Sequence, residues 1–240
     1  MDGDGTLLVV GRPLNGLYVW AHRGYYNSNA EVPRVYKIDG QEIYFNGVAT
    51  NGISGAVGDY RLLDLDGDGN PDSYYAGSPL PLAHGGWVNE LMWKNFDLNA
   101  LIQGATRTSI SLGETLVMPF FDSGSATKLQ FSDHWTPDNT NAPYPRLTSE
   151  VTVNNHRQPS SWWVRDATYI RLKSIEIGYT LPRSTLNFIG ISSARVYASG
   201  QNLWTWTPFM KELIDPEAKS ANGKYYMQQA VYAFGLNITF

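Results

Sequence analysis

The residues best suited to chemistry lie between positions 64 and 72. There Asp64, Asp66, Asp68, Asn70 and Asp72 set an oxygen donor at every second residue around Gly69. Calcium takes about six to eight oxygen ligands, and loops that bind it alternate their ligands around a glycine turn. The four aspartates would ligate through their side chains and Asn70 through its backbone carbonyl. The spacing departs from the helix–loop–helix calcium motif at its end, where Tyr75 stands in place of a bidentate Glu, and no flanking helices are evident. A calcium site that stiffens a surface loop and a plain Asp/Gly turn with water-screened charges both fit this pattern.

A second group is aromatic. Trp135, Tyr144, Trp162 and Trp163 lie in or beside a long loop over 106–164. Exposed rings on an outer loop stack on sugar rings or pack against a covering protein, which makes Trp135 and Tyr144 candidate substrate contacts. Packing within the loop competes as an explanation for Trp135. It is the preferred reading for Trp162 and Trp163, which adjoin a strand. His22, His84, His134 and His156 show no metal-ligand or base spacing and read as solvated loop histidines. No nucleophile elbow, P-loop or dinucleotide fingerprint is present, and the chain is not expected to be an enzyme.

Composition narrows the classes further. The 240 residues carry a net charge of −4, only 17% are charged, 13% are aromatic, and there is no cysteine. A polybasic nucleic-acid binder needs a basic face to displace counterions, so nucleic acid is not an expected partner. Disulfide frameworks and cysteine nucleophiles are excluded outright. No run of about 18 apolar residues marks a membrane helix. The first ten residues lack the basic start and apolar run of a signal peptide. The mean hydropathy of −0.30 does not argue against membrane strands, whose alternation averages out as polar.

The elements that position these residues are strands. In the last segment Tyr232, Phe234, Leu236, Ile238 and Phe240 alternate with small or polar residues, so one face is apolar. Phe96, Leu98, Ala100 and Ile102 repeat the pattern, with Leu101 as an exception. Trp87, Leu91 and Trp93 precede them across a short Lys94–Asn95 turn, which predicts a hairpin over about 85–105. Arg165 to Leu181 predicts a longer strand whose two halves are out of phase. A bulge near Lys173 or Ser174 brings Ile170 and Leu172 into line with Ile175, Ile177 and Tyr179. A compact connection with one helical turn follows over 183–192, then a strand from Ala194 to Trp206. On these strands Arg195 and Glu176 are placed to meet as a structural ion pair.

Short connections at one end alternate with long ones over 21–84, 106–164 and 207–225. That alternation, with strands of about 9–11 residues and Trp93, Trp204 and Trp206 at strand ends, is the habit of outer-membrane barrels. The fold class expected is all-β, with antiparallel strands of a transmembrane β-barrel, short periplasmic turns and long extracellular loops. Phe96, Leu98, Ile102, Tyr232, Phe234, Leu236, Ile238 and Phe240 are then membrane-facing.

Several ordered strings carry a family resemblance. They are Tyr169-Ile-Arg-Leu-Lys-Ser-Ile-Glu-Ile-Gly-Tyr-Thr-Leu-Pro182, the stretch Ile191 to Trp206 ending Gly-Gln-Asn-Leu-Trp-Thr-Trp, and the closing Tyr232-Ala-Phe-Gly-Leu-Asn-Ile-Thr-Phe240. Val10-Gly-Arg-Pro-Leu-Asn-Gly16, Asp64 to Asp72 and Trp93-Lys-Asn-Phe-Asp-Leu98 fall in the same order. Together they resemble the C-terminal region of SusC/RagA-type TonB-dependent outer-membrane transporters of Bacteroidetes-like bacteria.

The resemblance implies that residues 1–240 are a C-terminal barrel segment, with plug and N-terminal barrel strands absent. It implies import of glycans or peptides, a SusD-like lipoprotein lid, and energy from the TonB complex through the missing N-terminal part. It places the protein in the cell outer membrane and implies that the barrel-assembly machinery reads the last strand at Phe240. The chain alone is not expected to transport, because an open sheet in lipid leaves edge N–H and C=O groups unsatisfied. The competing reading is a secreted, calcium-stiffened all-β module that binds glycans through loop tryptophans.

Overall fold

The computed structural model describes residues 10–13, 15–32, 34–38, 41–45, 56–67, 72–149, 160–187, 190–208, 214–218 and 222–240. In chain order its strands are β1 (Leu17–Trp20), β2 (His22–Tyr25), β3 (Arg34–Ile38), β4 (Gln41–Phe45), β5 (Tyr60–Leu62), β6 (Ser73–Gly77), β7 (Ala83–Trp93), β8 (Phe96–Thr106), β9 (Ser109–Ser111), β10 (Val164–Asp166), β11 (Tyr169–Thr180), β12 (Ser193–Trp206) and β13 (Val231–Thr239). Two short helices, α1 (Lys128–Ser132) and α2 (Arg183–Leu186), complete the regular elements used below. The chain divides into two compact units. One comprises Met1–Leu80, Ser109–Arg165 and Ala218–Tyr225, the other Pro81–Thr108, Asp166–Glu217 and Tyr226–Phe240.

The second unit is one antiparallel sheet in the order β13-β12-β11-β8-β7. Its strands run 11, 11, 12, 14 and 9 residues for β7, β8, β11, β12 and β13. Residues directly opposite in an antiparallel pair share a face, so the register sorts every side chain. One row aligns Trp93, Phe96, Tyr179, Val196 and Leu236; a second aligns Leu91, Leu98, Ile177, Ala198 and Phe234. A third aligns Trp87, Ile102, Leu172 and Trp204. The two expected phases of the long strand therefore meet on one face, and the irregularity that joins them lies between Leu172 and Ser174, at Lys173. Both short connections, Lys94–Asn95 and the one carrying α2, sit at the same end of the sheet. Asn95 fastens them together: its backbone C=O accepts from Thr180 N–H, and its side-chain amide donates to the Thr180 carbonyl, both at 2.8 Å.

The first unit uses a different construction. Pairs β1–β6, β2–β5, β3–β4 and β9–β10 each form a two-stranded sheet of three to five residues per strand. Isolated hairpins of this size are marginal without packing, and an aromatic core supplies it. Tyr60, Trp163, Val19, Leu62, Tyr25 and Tyr144 are all buried. The rings of Tyr25 and Tyr60 stack at 5.8 Å, and Trp163 meets Tyr60 edge-on at 6.0 Å. Such pairs add about 0.5–1.5 kcal/mol each beyond area burial. The spans expected as long loops, 21–84 and 106–164, thus carry short strands and a core of their own among the described residues. The long strand expected from Arg165 divides into β10 and β11 at Ala167–Thr168.

Candidate functional site

The first face of the five-stranded sheet is apolar and uncovered. Trp87, Leu91, Trp93, Phe96, Ile170, Ile177, Val196, Trp204, Trp206, Tyr232, Phe234, Leu236 and Ile238 keep 41–85% of their surface exposed, and Phe240 keeps 87%. Asn89, opposite Ala100, and Thr106, opposite Ala83, are polar side chains in phase with these rows on β7 and β8. Leu98 and Ile102 lie on the same face, half-buried by their neighbours. All eight residues expected to face lipid therefore lie on or at the end of one face. Aromatic residues gather at both ends of it. Phe96 packs against Tyr179 at 4.7 Å and against Trp93 at 6.3 Å near the short turns. Trp204 and Trp206 stand toward the opposite end.

The second face carries Val88, Met92, Leu101 and Val231 but is otherwise polar and internally bonded. The expected pair of Arg195 and Glu176 forms, with Nη2 donating to Oε1 at 2.7 Å. Asp97 completes it: Arg195 Nε donates to its Oδ1 at 3.0 Å and Nη2 to its Oδ2. The guanidinium lies over Gly178 and the Tyr197 ring over Gly235, at positions that a Cβ on either glycine would fill. A glycine on one strand thus makes room for a long side chain on the next.

Toward the other end, Arg171 is 2% exposed and spends its donors on four partners. Nε donates to Thr205 Oγ1 at 2.8 Å, Nη2 to Asp215 Oδ2 at 2.8 Å, and Nη1 to Gln228 Oε1 at 2.7 Å and to Glu217 Oε2. Lys173 Nζ and Tyr169 Oη also donate to Glu217, at 2.7 and 2.9 Å. Burial pushes the Glu217 carboxyl upward, but the bonds from Lys173 and Tyr169 and the charges of Arg171 and Lys173 outweigh it and hold it below the usual range. Sequence reasoning missed this cluster. Its signal was two cations flanking Leu172 and two acids flanking Pro216.

In the first unit the acidic loop is partly gathered. Oxygen atoms of Asp64, Asp66 and Asp72 lie within 4.8 Å of one another. Asp64 Oδ1 accepts from Gly67 N–H at 2.6 Å, and Asp72 Oδ2 accepts from Leu65 and Asp66 N–H at 2.5 and 3.2 Å. Gly67 takes a φ of +83°, the left-handed turn that glycine accommodates. Oxygen-only donors around such a turn fit calcium. Asp68 and Asn70, the other expected ligands, lie outside the described residues. Tyr75, at the closing position, packs edge-on against Tyr18 instead.

Three expectations need correction. Trp135 and Tyr144 are not exposed platforms, being 7% and 5% exposed. Trp135 Nε1 donates to Asn27 Oδ1 at 3.0 Å, and the Tyr144 ring packs on Trp163 at 5.7 Å. Closing the first unit around its aromatic core outweighs leaving them to solvent. Second, His22 is no solvated loop histidine. It lies on β2 between Tyr60 and Trp162, each 5.1 Å away, and burial pushes its imidazole down to about 4, so it is neutral at pH 7. Third, His84 lies on β7 and meets Gln103 Nε2 at 2.8 Å. His156 falls outside the described residues. Trp162 and Trp163 pack within the unit, as expected.

The comparisons agree with this architecture. The chain is 32% identical over 200 residues to TonB-dependent receptor P26 of Formosa agariphila, a match covering 77% of this chain and 20% of the relative. It is 35% identical over 182 residues to TonB-dependent receptor P3 of the same organism, covering 73% and 17%. Its whole length superposes on 24% of a chain in the structure of the RagAB peptide transporter, with TM-score 0.64 and 20% identity. The RagAB peptide importer in its closed-closed state gives TM-score 0.63 at 22% identity over the same shares. At that identity the likeness is one of fold. The chain thus spans about a fifth of the length of the curated relatives it matches. No family model matches it. The resemblance to TonB-dependent receptors of the SusC/RagA type holds, as does the all-β antiparallel class.

Proposed function

We propose, from this kinship with TonB-dependent receptors, that β7, β8 and β11–β13 are neighbouring staves in the wall of an outer-membrane importer. The apolar face meets lipid and the polar face lines the passage. The single observation that supports this most is the sorting of side chains by face across five strands, with large apolar groups left uncovered. A soluble domain rarely exposes a contiguous apolar patch of such extent. A strand of eleven residues at about 3.3 Å per residue, tilted by about 40°, spans about 28 Å, close to the apolar band of such barrels. The secreted glycan-binding module would need that face covered.

On this reading the cargo is a peptide or an oligosaccharide, and a SusD-like lipoprotein closes the outer mouth. Energy comes from the TonB complex through parts of the transporter beyond this segment. The edge of β13, ending in Phe240, is offered to the barrel-assembly machinery by strand pairing. Asp64, Asp66, Asp68, Asn70 and Asp72 bind calcium and stiffen an outer loop.

The chain has no cysteine, so within this segment each single cysteine reports its own face. In membranes, cysteines at Leu236 and Phe234 should resist a membrane-impermeant maleimide, while those at Ala233 and Asn237 react. Equal labelling of both sets would remove the proposal.

A further inference from the structure

The connection between β12 and β13 is tied to the sheet at two points. Ile214, Asp215 and Pro216 are buried, and Asp215 and Glu217 both reach Arg171. Further on, Gln228 accepts from the same guanidinium, and Asn202 Nδ2 reaches the Gln229 carbonyl at 3.4 Å. The short segment is itself turned inward, with Glu217 N–H donating to Asp215 Oδ1 at 2.9 Å.

Charges balance within the cluster: Arg171 and Lys173 face Asp215 and Glu217. Arg171 and Asp215 have side chains only 3% and 6% exposed. Removing one member of a buried pair leaves its partner as an uncompensated charge, which costs far more than the intact pair contributes. The cluster is therefore stable closed, and unstable once one charge is lost. A fixed sheet carries the two cations, while a connecting segment carries the two anions. Losing a charge thus favours departure of the segment, which lets water reach both sides.

We propose that Arg171 and Lys173 form a charge latch that holds the segment Ile214–Glu217 against the polar face of the sheet, and that neutralising either side releases the segment while the sheet persists. This deepens the importer reading. There the polar face lines the passage, so the latch fixes how far the segment intrudes on it. Arg171 is a positioning residue: Thr205 orients its guanidinium from β12, and Tyr169 lies 5.7 Å from it on β11. Tyr169 is in turn bonded by Gln103 from β8, at 3.2 Å.

The test uses the full chain in detergent micelles with one of two single cysteines, Ile214→Cys in the segment or Ala194→Cys in β12, both buried positions. Maleimide labelling is timed at pH 7 with the latch intact, in Arg171→Met, and in Asp215→Asn/Glu217→Gln, which keeps shape and removes charge. The expected result is labelling at position 214 at least tenfold faster in both variants, with position 194 unchanged. If Arg171→Met does not fold, the amide variant decides. Unchanged labelling at 214 overturns the latch, and so does a parallel rise at 194, which means that the sheet itself has loosened. The readout at 214 does not depend on whether lipid covers the apolar face, so the importer proposal stands or falls separately.

Discussion

Asn99 and Ala100 are neighbours on β8 whose side chains lie on opposite faces. Ala100 stands opposite Ile175, four residues along from Phe96 and four from Gly104. At about 3.3 Å per residue and about 40° of tilt, it sits about 10 Å below the level of Phe96, near the middle of the apolar rows. Arginine there costs about 2–4 kcal/mol of assembly free energy. Alanine gives up almost no packing, so the change reads the environment alone. Asn99 stands opposite Glu90 on one side and Glu176 on the other. Arginine there gains opposite charges across both strands, each worth about 0.2–1 kcal/mol. The two substitutions should thus differ by about 3 kcal/mol, roughly a hundredfold in the folding equilibrium. The assay, on the transporter that carries this segment, is denaturant-dependent folding into phospholipid vesicles, backed by the fraction of protein that resists urea extraction from membranes. Ala100→Arg should collapse both readouts, and Asn99→Arg should match or exceed the parent. Equal losses at the two positions, or a larger loss at Asn99, would refute the assignment of faces.

Two further outcomes follow from the first unit. Arg146 Nε donates to Asp59 Oδ1 at 2.7 Å, and Asp59 is fully buried. Arg146→Ala should therefore destabilise by about 3–5 kcal/mol in chemical denaturation, and adding Asp59→Asn should recover much of it; no recovery would mean that lost packing and not charge is responsible. Calcium should give binding heat in titration calorimetry that Asp64→Asn and Asp72→Asn weaken at least tenfold, and absence of heat at millimolar calcium removes the metal site.

The sheet was legible because each of its strands sorts its residues by alternation between two faces. Alternation at Tyr232–Phe240 and Phe96–Ile102 needs no tertiary knowledge, and even the phase break in the long strand placed its irregularity near Lys173 or Ser174, where the register shifts. The first unit was not legible for the opposite reason. Its strands are three to five residues long, too short for a period, and its order rests on rings brought together from distant positions. Tyr25, Tyr60, Tyr144 and Trp163 look like loop aromatics until the chain closes. The same holds for Arg171. Its partners Asp215 and Glu217 lie 44 and 46 residues away, and nothing local marks them as its anions. Arg195 and Glu176 were foreseeable, because adjoining strands with known phase bring them together.

The irregularity at Lys173 has one more consequence. Leu172 and Ser174 already pair with Ile102 and Leu101, which are adjacent on β8. Toward β8, excising Lys173 would therefore leave an unbroken ladder, whereas toward β12, where Leu172 and Ser174 pair with Trp204 and Gln201, Asn202 and Leu203 would still bulge. The extra residue is dispensable for pairing with β8 and costs that ladder its regularity. What it supplies is reach, an ammonium swung out of the pleat toward Glu217. A shortened chain would pair more evenly with β8 and hold less firmly the segment that Glu217 anchors across the sheet.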